Sequence, residues 1–400
     1  MIALFLVSGA MGQWLQQNSG TTKTLRSVYF TDMNTGYAVG DSGTILKTID
    51  GSVNWVAQNS GVTSDLYSVH FPEPDTGYVV TNDGKILKTT NGGSTWTIQY
   101  SGNSSSLNCV FFINADTGYA VGSKYSPIYT GFILRTTNGG IQWSEIYTDP
   151  LENYHLSSIF FPDANNGFAV GTQLLPNSGH YGNILRTQDN GNNWTRQDVN
   201  FWYMGLNSVY FINKDTGYVA GYGFGASILK TNDGGINWTN IFSTYLHFNS
   251  VFFNDALTGF VVGQDGRILK TDDGGNNWTF QVSGITYILY SVHFPTTDIG
   301  YIVGENGTIL NTINAGVGIN DHNQTTNTLT IYPNPANDNV IIETPTNGSL
   351  SILNINGQQL ITRQITEPQT QIDIATLPIG VYFVRLTNEK TVHMGKFVKQ

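Results

Sequence analysis

Apolar residues in this chain come in short bursts divided by glycine-rich polar stretches, and no segment carries a long amphipathic helical period. The bursts repeat. LRSVYF (25–30) recurs as LYSVHF (66–71), LNCVFF (107–112), LSSIFF (156–161), LNSVYF (206–211), FNSVFF (248–253) and LYSVHF (289–294), seven copies spaced 41 to 50 residues apart. Each is followed by a TGYAVG-like run, at 35–40, 76–81, 117–122, 166–171, 216–221, 258–263 and 299–304. A run resembling ILKT comes next, then a glycine-rich turn, then a tryptophan that opens a fourth run. Four short strands per repeat at a period near 41 predict the blades of a β-propeller. A helical solenoid is excluded because no repeat holds a helix-length segment. A β-helix is excluded because its period would be about half as long.

The seventh repeat lacks its tryptophan strand. After ILNT (309–312) the chain continues NAGVGIN, whereas QWLQQNSG (13–20) near the start resembles NWVAQNSG (54–61) and NWTFQVSG (277–284). The N-terminal segment is therefore expected to supply the outer strand of the last blade, closing the ring and limiting exposed sheet edges. Residues 1–12 read as the remnant of a signal peptide: MIALFLVSGAMGQ is an apolar run ending in the small-x-small pattern Ala10-Met11-Gly12, without a basic start. A buried N-terminal strand is the alternative reading.

The turns before the tryptophans read TQDNGNNW (187–194), TNDGGINW (231–238) and TDDGGNNW (271–278), with Asn91 and Asn138 replacing Asp in TTNGGSTW (89–96) and TTNGGIQW (136–143). TIDGSVNW (48–55) keeps Asp50 but has Ser52 where glycine is expected, so an altered turn is predicted there. These segments match the Asp-box pattern S/T-x-D-x-G-x-x-W, in which the carboxylate accepts backbone N–H bonds inside the turn and glycine permits positive φ. Asp50, Asn91, Asn138, Asp189, Asp233 and Asp273 are thus assigned structural roles. Repetition at one architectural position favours that reading over calcium loops. The Asn-Trp-Thr sequons at 193–195, 237–239 and 277–279 are by-products of the same repeat. Over residues 13–316 the chain resembles Asp-box propellers, and its short period with TGYAVG then G-x-ILKT is most similar to the photosystem II assembly and stability factor family. That resemblance implies a seven-bladed, noncatalytic scaffold.

Composition agrees. Glycine occurs 45 times, Tyr and Phe 21 times each, and charged residues make up 12%. A net charge of −10 argues against a nucleic-acid partner. No stretch reaches the ~18 apolar residues of a membrane span. Cys109, the one cysteine, takes the place of Ser27, Ser68, Ser158, Ser208, Ser250 and Ser291 and reads as a small buried residue. No metal or cofactor is predicted.

Residues 317–328 read as a polar linker. From 329 to 400, alternating apolar residues and Asn-Gly turns predict a small β-sandwich. Tyr332-Pro333-Asn334-Pro335, Gly380-Val381-Tyr382 and Lys396-Phe397-Val398-Lys399 resemble the type A sorting domain of the type IX secretion system. The resemblance implies export to the medium or outer-membrane surface of a Bacteroidetes-type bacterium, with the secretion machinery as partner and with Tyr332, Pro333, Asn334, Pro335, Gly380, Tyr382, Lys396 and Lys399 as the sorting signal.

Departures from the repeat cluster on the propeller face formed by the second-to-third-strand loops and the blade-to-blade loops, within blades three to five. The insertions are SKYSPIYTGF (123–132), TQLLPNSGHYGN (172–183) and GYGFGAS (221–227), beside the connections YTDPLENYH, DVNFWYMG and STYLHF. Tyr125, Tyr129, Tyr154, His155, Tyr181, Phe201, Trp202, Tyr203, Tyr222 and Phe224 form the candidate platform for a protein or glycan, since aromatic rings stack on sugars and anchor interfaces. Packing among the loops is the competing role for them. An assembly factor for another envelope protein is one alternative function.

A polysaccharide-active hydrolase using Asp149, Glu152 and Asp198 is another. For a sialidase-like triad, Arg135, Arg186 and Arg267 are grouped with the repeated basic position of Lys47, Lys88, Lys230 and Lys270 and read as architectural. Asp41, Asp83, Asp265 and Glu305 fall in hairpin turns. His70 and His293 read as packing residues.

Overall fold

The computed structural model describes residues 14–102, 105–125, 128–149, 153–175, 179–197, 204–223, 227–316, 329–344, 347–354, 358–388 and 392–400. They fall into two compact units, one ending at Gly316 and one beginning at Leu329.

The first unit is a ring of seven four-stranded antiparallel sheets. In blade one, Leu25–Phe30, Gly36–Gly40, Thr44–Thr48 and Val56–Gln58 pair in chain order. The first strand of every blade touches the first strand of the next, and the strand of blade seven touches that of blade one, so these strands line the axis. Each carries a register shift after the first residue of its LRSVYF-type motif, for example between Leu25 and Ser27. Beyond the bulge a serine hydroxyl accepts the backbone N–H of the following blade. Val69 donates to Ser27 at 3.2 Å, Val110 to Ser68 at 3.3 Å, Val209 to Ser158 at 3.4 Å, Val251 to Ser208 at 3.2 Å, Val292 to Ser250 at 3.4 Å and Val28 to Ser291 at 3.3 Å. Cys109 holds the seventh place, its Sγ 4.0 Å from the Ile159 carbonyl, and burial raises its thiol pKa.

Aromatic contacts repeat across the seams. A phenylalanine at the end of each first strand, or directly after it, is stacked on the second-strand Tyr or Phe of the preceding blade, centroids 3.7–4.4 Å apart. A tryptophan meets the same ring edge-on at 5.8–6.1 Å. The second strand opens with glycine because a Cβ at Gly36 would lie 2.4 Å from the Phe30 ring. In blade seven the edge-on tryptophan is Trp14. Leu15–Gln17 pairs with Ile309–Thr312 in the register Leu15↔Asn311, Gln16↔Leu310, Gln17↔Ile309, so the N-terminal strand closes the last blade.

The Asp-box turns take the form their chemistry predicts. Thr48 Oγ1 and the Asn54 N–H both donate to Asp50 Oδ1, at 2.8 and 2.9 Å, and Asn54 Nδ2 donates to Oδ2 at 2.8 Å. The blade-one turn is not altered, contrary to expectation: Ser52 takes φ 75° after Gly51 at 69°, the left-handed pair that Gly92 and Gly93 form at 61° and 84°. Where asparagine replaces aspartate the partner changes, and Asn91 Nδ2 donates to Thr95 Oγ1 at 2.9 Å. In the sequons, Asn193, Asn237 and Asn277 each donate to the box aspartate through Nδ2.

Several turns are also bolted to the preceding blade. Tyr37 Oη and Lys47 Nζ donate to the Gly92 carbonyl at 2.9 and 2.7 Å; Tyr78 and Lys88 do so to Gly139, and Tyr218 and Lys230 to Gly274. Arg135 reaches Asn192 Oδ1 at 2.9 Å in the equivalent place. Arg267 does not share that position: it precedes the third strand of blade six and lies over Phe280 at 5.4 Å.

The second unit has two antiparallel sheets. Thr330–Tyr332, Asn339–Glu343 and Gln369–Asp373 form one; Gln359–Ile365, Gly348–Leu353, Gly380–Thr387 and Val392–Lys399 form the other, in that spatial order. Val340, Ile342, Leu350, Ile352, Val384, Leu386 and Phe397 share one core.

Candidate functional site

The face bearing the second-to-third-strand loops is uneven. In blades one and six those loops are three-residue turns, Asp41–Gly43 and Gln264–Gly266. In blade three the strands lengthen to eight residues each, Gly118–Tyr125 and Tyr129–Thr136, paired up to Tyr125↔Tyr129. Blade four repeats this with Gly167–Leu174 and His180–Thr187. Three more residues than the five of Gly36–Gly40 raise such a hairpin by about 10 Å.

Tyr125 and Tyr129 stand at the end of the blade-three hairpin, 52% and 44% exposed, with centroids 5.1 Å apart. Tyr129 also lies 4.8 Å from the His155 ring at the start of blade four, and His155 Nδ1 is 2.9 Å from Ser123 Oγ. Burial lowers the His155 pKa. A second aromatic cluster joins His180 of blade four, edge-on at 5.4 Å, to Tyr222 of blade five, which stacks on His247 at 4.8 Å. Tyr181 and Tyr222 are half-buried. His180 and His247 carry no repeat signature in the sequence, although both lie in the irregular segments that hold the candidate residues. Phe201, Trp202, Tyr203 and Phe224 lie outside the described residues, as do Glu152 and Asp198.

Tyr154 is a correction: it is fully buried and offers no face to a ligand. Side chains alternate along a strand, and Tyr154 sits two residues before buried Leu156, so it shares the inward side while His155 points away. Arg196 lies over the Tyr154 ring at 5.3 Å and its Nη2 contacts both carboxylate oxygens of Asp149, itself 1% exposed. Tyr147 Oη donates to Asp149 Oδ2 at 3.0 Å, and burial together with the Asp149 charge pushes the Tyr147 pKa up to about 12. Asp149 is therefore a sequestered member of an ion pair between two blades, poorly placed to pair with a second acid across a cleft.

On the axis, the fifth residues of the repeated LRSVYF-type motifs form a closed belt. Tyr29, His70, Phe111, Phe160, Tyr210, Phe252 and His293 contact one another in turn at 4.7–5.4 Å between centroids. Burial depresses the pKa of His70 to about 3 and of His293 to about 4, the charge of His293 adding to the shift at His70. The Phe30 N–H donates to His293 Nδ1 at 3.3 Å. Nearer the irregular face, the Arg26 guanidinium lies 4.9 Å from the Tyr67 ring and 5.4 Å from Tyr290, with Nε 2.5 Å from Asp41. Among the described residues, no three His, Cys, Asp or Glu side chains cluster to hold a metal, and no helix is long and apolar enough to cross a membrane.

Of the sorting-signal residues, Tyr332, Pro333, Asn334, Pro335 and Lys396 are exposed. Tyr382 is buried, stacked on Phe397 at 5.5 Å, with its Oη donating to the Pro378 carbonyl at 2.6 Å. Lys399 is buried too, and Gly380 is half-buried.

Two family profiles match the sequence. One is described as photosynthesis system II assembly factor YCF48 and matches residues 7–99, 54–150 and 202–284; the other is described as a secretion system C-terminal sorting domain and matches 330–400. No curated protein matches. Solved structures with a similar fold include "YCF48 bound to D1 peptide", 19% identical, covering 76% of this chain and 96% of that one with a TM-score of 0.61. YCF48 from Cyanidioschyzon merolae is 20% identical, with 75% and 98% covered and a TM-score of 0.60. Virginiamycin B lyase from Staphylococcus aureus is 14% identical, with 74% and 98% covered and a TM-score of 0.62. At these identities the likeness establishes the fold, a propeller.

Proposed function

Because this chain belongs to the YCF48 family of propellers and ends in a secretion-system sorting domain, we propose that it is an exported, noncatalytic propeller that captures a polypeptide partner on the face carrying the blade-three and blade-four hairpins. The observation that carries this reading is the pair Tyr125 and Tyr129, two large rings held out at the end of a lengthened hairpin and braced by His155. Rigid aromatic side chains offer contact area at little entropic cost, which suits them to anchoring a partner. A YCF48 structure that holds a peptide supports a polypeptide over a glycan. The sequestered Asp149 weighs against a hydrolase built on that acid.

The test is to screen the full chain against an array of unstructured peptides and an array of glycans, then repeat the hits with Tyr125→Ala combined with Tyr129→Ala. Peptide hits weakened at least ten-fold, with an unchanged melting temperature, support the proposal. Undiminished peptide capture rejects this face, and hits confined to glycans reject the partner class.

A further inference from the structure

Val392–Lys399 is an edge strand of its sheet, and such a strand presents unpaired N–H and C=O groups along its outer side. Residues 334–336 take that side. Asn334 Oδ1 accepts the Val398 N–H at 2.9 Å, and Asn334 Nδ2 donates to the Lys396 carbonyl at 3.1 Å. The Ala336 N–H donates to the Val398 carbonyl at 2.7 Å, and the Gln400 N–H donates to the Ala336 carbonyl at 2.9 Å. A side-chain amide thus serves as one rung of a ladder that backbone groups continue.

These four bonds bring together parts of the chain 62 or more residues apart. They place the exposed Tyr332, Pro333 and Pro335 beside the exposed Lys396 and the final residue. Buried Tyr382 and Lys399 stay beneath. Lys396 makes no ion pair among the described residues, whereas Lys399 Nζ is turned back onto the Gln400 carbonyl at 3.3 Å.

We propose that the export machinery reads one folded surface, the Tyr332–Pro335 turn joined to Lys396, and that Asn334 is the positioning residue that assembles it. The complementary surface on the machinery is an apolar or aromatic face for the two prolines and the tyrosine, with a carboxylate for Lys396. The inference rests on the reading of residues 329–400 as a sorting domain. It differs from recognition of a linear C-terminal tail, which would need Lys396 and its neighbours but not Asn334.

The experiment expresses the full chain in a type IX-competent bacterium and in a strain lacking that machinery. Asn334→Ala, Asn334→Asp and Lys396→Glu are compared with the wild type by exported fraction, and by hydrogen exchange of the Val398 amide on purified protein. Asn334→Ala and Lys396→Glu are each expected to cut export at least ten-fold, the pair together no further than the stronger one. Asn334→Asp keeps the acceptor for Val398 but loses the donor to Lys396, and its loss is expected to be intermediate. Normal export of Asn334→Ala with an exposed Val398 amide overturns the proposal. If Asn334→Ala does not fold, the surface variant decides, and unimpaired export of Lys396→Glu overturns it equally. Wild-type export that does not depend on the machinery defeats the sorting reading itself.

Discussion

Trp14 offers the sharpest probe of how the ring is held. Its side chain is 2% exposed and meets Phe260 at 5.9 Å and Phe294 at 5.8 Å, both edge-on. Truncating a buried aromatic to alanine costs about 3–5 kcal/mol, of which two edge-on ring contacts supply about 1–3 kcal/mol. For a domain of this size that corresponds to a fall in melting temperature of roughly 5–8 °C. Trp96→Ala is the control: Trp96 is 8% exposed and meets Phe71 edge-on at 6.1 Å, but its strand Thr97–Ser101 follows its own blade in the chain. Both variants should lose comparable stability by denaturant titration. Only Trp14→Ala should also release the amides of Ile309–Thr312 to hydrogen exchange, because the strand paired there does not follow its own blade in the chain. If Asn311 stays as protected in Trp14→Ala as in Trp96→Ala, the N-terminal strand is not what fastens the seventh blade and the closure argument fails.

Three further outcomes follow from the seams, the turns and the belt. Phe168 occupies the position from which Tyr37, Tyr78 and Tyr218 donate to the next Asp-box carbonyl; Phe168→Tyr should add about 1 kcal/mol in denaturant titration, and a neutral or destabilising result would contradict the clamp. Ser52→Gly should raise stability by about 1 kcal/mol by relieving the left-handed backbone at φ 75°, which a thermal melt would check. Because folding lowers the pKa of His70 to about 3 and of His293 to about 4 from ~6.5 in the unfolded chain, the unfolded state takes up protons first as the pH drops. Stability should decline as the pH falls from 6.5, less steeply below 4, and level only near 3. Replacing both histidines with phenylalanine, the residue at positions 111, 160 and 252 of the belt, should flatten that decline; an unchanged urea-midpoint profile would refute the assignment.

The blade count and the closing strand were legible because a strand leaves a local signature: a burst of apolar residues, a glycine turn, a tryptophan. One missing tryptophan run was enough to predict where Leu15–Gln17 would pair. What joins one blade to the next was less legible. Lys47 reads as one more copy of a repeated basic residue, and only the geometry shows its partner to be a carbonyl at Gly92 in the next blade. The candidate face was found by its departures from the repeat, yet departure does not separate Tyr129, which projects, from Tyr154, which is buried. Strand alternation separates them, and counting back from Leu156 would have done so. Ser52 misled for a different reason: a glycine preference was read as a requirement, while the surrounding turn tolerates serine at φ 75°.

Wherever these seam clamps form they point the same way, a blade donating from Tyr and Lys side chains into the turn of its successor. Such a head-to-tail arrangement has no privileged first member. The two ends meet inside blade seven, where a Cβ on Gly316 would lie 3.3 Å from Trp14 Nε1. A short peptide bridging those ends would let the circle be cut at any other blade junction, so circular permutants should fold, and duplication of a whole blade is the natural unit by which such a gene would grow or shrink.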